Sequence, residues 1–181
     1  MAVLFQQITI IGVGLIGGSL ARAARAKGLC AELVGCGRDQ VHLQQALDLG
    51  VIDRFEIDIA RAVEKADLVV VGAPVGAMRT IFGHIKDYVR KDAVITDVGS
   101  SKQSVVEDGV LAFGELPEGF VPGHPIAGTE KSGVAASFAE LFENRCTILT
   151  PTTSSASPFT ATAVSSENCY GRRVDLKKRR R

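Results

Sequence analysis

Apolar residues over 7–151 gather into short unbroken runs, ITIIGV at 8–13, LVGC within 32–36, DLVVVG at 67–72 and AVITD at 93–97, with further runs at 119–122 and 145–149. Each has the length of a buried strand. Between them, 15–27, 39–49, 59–65, 76–89 and 102–113 carry amphipathic, helix-length patterns, and Gly28 and Gly50 close the first two. Strand and helix therefore alternate, which is the pattern of βαβ units. Because the strand runs are continuous and do not alternate with polar residues, helices must cover both faces of the sheet. The reading is an α/β fold, a doubly wound and mostly parallel sheet.

The pattern stops near residue 152. TTSSASPFTATAVSS at 152–166 has neither a helical nor a strand period, so the chain divides into one domain at 1–153 and an irregular or disordered basic tail at 154–181. The tail also explains the near-zero net charge. Residues 171–181 hold seven basic residues and one acid, which leaves 14 basic against 19 acidic over 1–170. A short terminal basic run without interleaved aromatics is read as solvated, so no nucleic-acid partner is expected. No apolar run approaches the roughly 20 residues of a bilayer span, and MAVLFQQ lacks the features of a secretory signal. The expectation is a cytoplasmic protein without membrane contact. Four cysteines without a C-x-x-C pair and only three histidines predict reduced thiols and no metal site.

Candidate chemistry begins at Gly12-Val13-Gly14-Leu15-Ile16-Gly17, directly after the first strand and opening the first helix. Gly12 allows a tight turn, Gly14 lets backbone approach a pyrophosphate, and Gly17 lets the helix pack on the strand. The free N–H groups of the helix N-terminus then face the phosphates. This is a dinucleotide-binding, Rossmann-type fingerprint. About twenty residues on, where an acid would hold a ribose 2′-hydroxyl, stand Gly37, Arg38 and Asp39. Gly37 removes a carboxylate and Arg38 suits a 2′-phosphate, which leans to NADP. Asp39 can cap the next helix or reach a ribose, so NAD stays open. Ala73, Pro74 and Val75 end another strand at the sheet's carboxyl edge, as a flat wall beside the cofactor or as an ordinary turn.

Two further segments lie at that same edge. In DVGSSK at 97–102 one of the two serine hydroxyls is expected to cap the following helix, which leaves the other free at the sheet's carboxyl edge, facing the cofactor. In GHPIAGTEKSG at 123–133 an imidazole, a hydroxyl, a carboxylate and an ammonium gather among glycines. His124, unlike His42 and His84 in predicted helices, is placed to accept a proton while hydride leaves a C–OH carbon.

Together GVGLIGGSLA (12–21), VVVGAPV (69–75), DVGSSK (97–102) and GHPIAGTEKSGV (123–134) resemble the nucleotide-binding half of the prephenate/arogenate, or cyclohexadienyl, dehydrogenase family of tyrosine biosynthesis, over roughly residues 6–153. The resemblance implies NAD(P)-dependent oxidative decarboxylation of prephenate or arogenate to 4-hydroxyphenylpyruvate or tyrosine. His124 would polarise the ring hydroxyl and Ser100 would lie between nicotinamide and substrate, while Thr129 and Glu130 would line the substrate mouth. It also implies a helical second half that forms the homodimer and supplies an arginine for the substrate carboxylate. That half is not in this sequence, which suggests a truncation or a shifted reading frame after about residue 154, and a chain that is monomeric. Two alternatives stand beside this: a nucleotide-binding module without turnover, and another nicotinamide-dependent dehydrogenase of the hydroxyacid type.

Overall fold

The computed structural model describes residues 3–150. Five parallel strands form one sheet in the order β3-β2-β1-β4-β5, with β1 at Phe5–Ile11, β2 at Cys30–Cys36, β3 at Arg54–Glu56, β4 at Leu68–Val71 and β5 at Val94–Asp97. The helices between them are α1 (Leu15–Ala26), α2 (Gln40–Asp48), α3 (Ile59–Val63), α4 (Met78–Ile85) and α5 (Lys102–Phe113). The doubly wound architecture expected from the apolar runs is what forms. Ile8, Ile10, Leu33 and Val70 face α1 and α2 on one side, while Val69, Val71 and Ile95 face Met78, Phe82 and Phe120 on the other. On that second side Phe82 meets Phe120 edge to face, with ring centroids 5.4 Å apart.

Strand order reverses between β1 and β4, the first turning out toward β2 and the second toward β5. Strand ends splay at such a switch point, and the crevice outside their carboxyl ends is where ligands bind in this class of sheet.

Four points differ from expectation. Strand β3 was not anticipated, because Arg54, Phe55 and Glu56 form no apolar run; it is a half-buried edge strand, where one face meets water. Residues 119–122 do not form a strand of their own. They meet β5 through a single parallel bridge, Ile95 with Phe120, and Pro122, which has no N–H, ends the pairing. The chain then turns into β6 (Gly123–Pro125), which pairs antiparallel with β7 (Thr147–Leu149), so the run at 145–149 joins a separate two-stranded ribbon and not the main sheet. The helix expected over 76–89 opens as a 3₁₀ turn at Val75–Ala77 and is α-helical only over Met78–Ile85.

Cys30 and Cys36 are free thiols, but Cys146 is disulfide-bonded, against the expectation of reduced thiols throughout. No helix among the described residues is long and apolar enough to cross a membrane. The predicted tail at 154–181 lies outside the described residues.

Candidate dinucleotide cleft and histidine strand

A cleft of about 860 Å³ opens at the switch point. Its floor is the turn between β1 and α1. Gly12 has φ +93° and an added Cβ would sit 2.8 Å from the carbonyl carbon and oxygen of Gly72, so this turn and the end of β4 touch backbone to backbone. Gly17 packs equally closely: its Cβ would lie 2.5 Å from the Gly12 carbonyl oxygen and 2.9 Å from Ile10. Gly14 is different, with nothing within 4 Å of where its Cβ would be, and it is the N-cap residue of α1 with no side chain to satisfy the helix amides. An open backbone at a helix N-terminus is a cradle for a phosphate group.

Of the residues expected to hold a cofactor, Gly12, Val13, Gly14, Gly37, Arg38, Asp39, Ala73 and Pro74 line this cleft. Leu15, Ile16, Gly17 and Val75 are not in its lining; the first three open α1 behind the turn, and Val75 starts the 3₁₀ turn before α4. His42 and His84, which the sequence reading places in predicted helices and gives no role, both line the cleft wall. Cys36 also lies against it. Burial first, then the nearby Glu56 and Asp58 carboxylates, push its thiol up to about 12, so it is protonated at neutral pH and serves as inert wall.

Asp39 caps α2. One carboxylate oxygen accepts the amides of Val41 at 2.9 Å and His42 at 3.2 Å, and the other lies 3.3 Å from the His42 ring Nδ1. Its neighbour Arg38 lines the cleft.

The remaining candidates lie outside this cleft. Thr129 and Glu130 line an open hollow of about 930 Å³ with Lys131, Ser132, Ala135, Ala136 and Phe138. Ser132 and Ala135 belong to both concavities, so the segment 132–135 is their shared wall. That segment is anchored from below. Val134 is buried in the core, Arg22 of α1 donates to the Ser137 hydroxyl at 3.0 Å, and the Phe138 amide donates to Ser19 at 3.1 Å. Gly18 permits the crossing, since a Cβ there would meet Ser137 at 3.0 Å.

His124 stands in the middle of β6, half-buried and paired in register with Ile148 of β7. Ser100 is exposed in the turn from β5 to α5. The expected serine cap of α5 does not form: Ser101 is the N-cap residue but its hydroxyl pairs with the Ser104 hydroxyl at 2.9 Å. The turn is held by Asp97, whose carboxylate accepts the Gly99 amide at 2.8 Å and the Gly123 amide at 3.1 Å. Lys102 donates from Nζ both to Asp97 and to the Gly123 carbonyl. Burial lowers the Lys102 ammonium below the ordinary lysine range, opposed by the hydrogen bond and charge of Asp97. The sequence reading gave neither Asp97 nor Lys102 a role. An acid and a lysine flanking the serine turn were the signal, but their spacing alone does not show that they reach strand β6.

The family model described as prephenate dehydrogenase, nucleotide-binding domain, matches residues 20–170. The chain is 41% identical over 152 residues to a cyclohexadienyl dehydrogenase of Zymomonas mobilis, covering 81% of this chain and 50% of that protein. It is 34% identical to a prephenate dehydrogenase of Lactococcus lactis, covering 80% and 41%. Among solved structures it superposes on prephenate dehydrogenase from A. aeolicus, in complex with hydroxyphenyl propionate and NAD+, with a TM-score of 0.76 and 39% identity over 82% of this chain and 51% of that one. For Synechocystis arogenate dehydrogenase the TM-score is 0.75 and the identity 29%, over 84% and 52%. The chain thus spans about half the length of the curated relatives it matches. With a glycine turn at the switch point, a histidine strand beyond it and these matches together, the chain belongs to the prephenate dehydrogenase family, as its nucleotide-binding domain.

Proposed function

We propose that this chain is the cofactor-binding half of an enzyme that oxidatively decarboxylates prephenate or arogenate, to 4-hydroxyphenylpyruvate or tyrosine, with NAD or NADP. The observation that carries the reading is the buried Asp97–Lys102 pair, which ties the turn of Ser100 to the strand of His124; Asp97 stands opposite Val71, the last residue of β4, and the next residue, Gly72, lines the cleft. The open backbone at Gly14 and the α1 amides hold the diphosphate. A bound nicotinamide supplies the hydride acceptor. His124 takes the proton of the ring hydroxyl as the C–H bond to the same carbon breaks, and Ser100 orients that hydroxyl. Departure of the ring carboxylate as CO₂ leaves an aromatic phenolate, to which the proton held by His124 returns, so a base and correct placement are all the protein must add. Thr129 and Glu130 line the substrate's approach.

Of the two cofactors, the end of β2 supports NADP. Gly37 offers no carboxylate, and one carboxylate oxygen of Asp39 caps α2, a bond set worth about 1 kcal/mol. Arg38 is the cation at that rim of the cleft. Arg38→Ala is therefore expected to weaken NADP binding about 10–100-fold, the loss of a charged hydrogen bond of roughly 1.5–3 kcal/mol, and to leave NAD binding nearly unchanged. Calorimetric titration of both dinucleotides measures it; equal losses for the two would count against the assignment.

The 181-residue chain by itself is expected to bind dinucleotide measurably and to turn over prephenate and arogenate very slowly. It spans half of its relatives' length, and incomplete positioning of substrate costs rate steeply. A dehydrogenase assay with both substrates tests this, and brisk turnover by the isolated chain would refute it.

A further inference from the structure

We propose that Asp97 and Lys102 are positioning residues for His124: a buried charge clamp that sets where the imidazole stands by gripping the residue before it. The inference rests on the function proposed above and adds a device to it. Gly123 is held at both of its backbone polar groups, its N–H by Asp97 and its carbonyl by Lys102. The same Asp97 carboxylate holds the Gly99 amide, next to Ser100. One ion pair thus indexes both residues to the carboxyl end of β5.

Three further facts argue that the clamp serves position. The Asp97 side chain is 1% exposed and that of Lys102 14%, and burying a charge pair is a costly way to gain stability, since apolar residues of like volume usually do as well. The pair is also not needed to hold the main sheet. β5 already pairs with β4 along its whole length, whereas β6 pairs only with the three residues of β7. Finally, the backbone at Gly123 is so close that a Cβ would meet the Asp97 carbonyl oxygen at 2.9 Å and Thr96 at 3.1 Å. With no side chain of its own, Gly123 is fixed through its backbone, and Asp97 and Lys102 hydrogen-bond both of its polar groups. His124 is one bond further along, so an error in Gly123 passes directly to the imidazole.

The test uses the 181-residue chain, in which His42, His84 and His124 are the three histidines. Imidazole signals in carbon–proton spectra and amide exchange at Gly123 are recorded with Lys102→Met and with the double variant Asp97→Asn/Lys102→Met. The double variant is needed because Lys102→Met alone strands a buried carboxylate and can unfold the chain. The expected result is a His124 signal that shifts or splits, with Gly123 exchange faster by about 10-fold or more. His42, His84 and dinucleotide affinity are expected to stay as they were. A role in general stability would move all three histidines together and weaken dinucleotide binding; that pattern, or an unmoved His124 signal, would overturn the proposal. Failure of the unaltered chain to bind either dinucleotide would instead overturn the function it rests on.

Discussion

Replacing His124 with asparagine, in a protein continued to the full length of the relatives, is expected to lower kcat for prephenate by about 10²–10⁴, the range a positioned acid–base group supplies. Asparagine keeps a similar shape and a hydrogen-bonding end, so the hydroxyl can still be oriented. It cannot take up the proton that must leave as the carbon–hydrogen bond breaks. His124 is half-buried on the short β6–β7 ribbon and is not among the buried core residues. The variant should therefore fold with a stability change within about 0.5 kcal/mol, as for substitutions away from packed features. Dinucleotide affinity should hold, because the cleft lining does not include position 124. Parallel measurement of kcat, thermal unfolding and NADP affinity separates these. Activity within a few-fold of the unaltered enzyme would remove His124 as the base.

The second large effect divides two glycines of one turn. Gly12→Ala is expected to cost about 2–6 kcal/mol, because it adds positive-φ strain of roughly 1–3 kcal/mol to an overpacking cost of similar size. The added methyl group meets the rigid backbone of Gly72 at 2.8 Å, and no side chain can yield. Since typical domains hold only about 5–15 kcal/mol of net stability, a large share of the margin goes, and the cleft opens where β1 and β4 are held together. Gly14→Ala should behave in the opposite way. Its φ of −98° suits any residue and its Cβ would meet nothing within 4 Å, so unfolding should change little while the methyl group fills the approach a diphosphate needs. Denaturant unfolding and dinucleotide titration of both variants check this. If Gly14→Ala binds NADP as the unaltered chain does, the phosphate is not held at that turn.

How far the sequence carried depends on how local each cause was. ITIIGV and LVVVG are strands in nearly any surroundings, since continuous apolar runs of that length must be covered on both faces. Gly12 and Gly17 sit where a strand must turn sharply into a helix packed on it, and their neighbours in sequence impose that need. Asp39 as a cap was legible as one of two uses because its acceptor range is two or three residues. Arg54–Glu56 was not legible. Nothing in its own residues requires a strand, and it pairs because β2 leaves an open edge beside it. The bridge at Phe120 shows the reverse error: an apolar run suggested a strand, and Pro122 cut it short.

The same division holds at the site. The glycines of the turn, Gly12 and Gly14, and the strand that carries His124 could be named from the sequence, because a spaced motif and a rare residue type mark them. The partition of duties between Ser101 and Asp97, the arrival of His42 and His84 at the cleft wall, and the grip of Lys102 on Gly123 could not. The cleft wall gathers residues from Ile11 to Ala135, and the contacts of Asp97 and Lys102 with Gly123 join positions 26 and 21 residues apart across the end of β5. By itself the sequence determined the sheet, the glycine turn and the candidate base, since hydrophobic period and backbone permissiveness act over a few residues. Only the tertiary structure decided how the strand of His124 is held, because a buried ion pair is specified by what surrounds it in space.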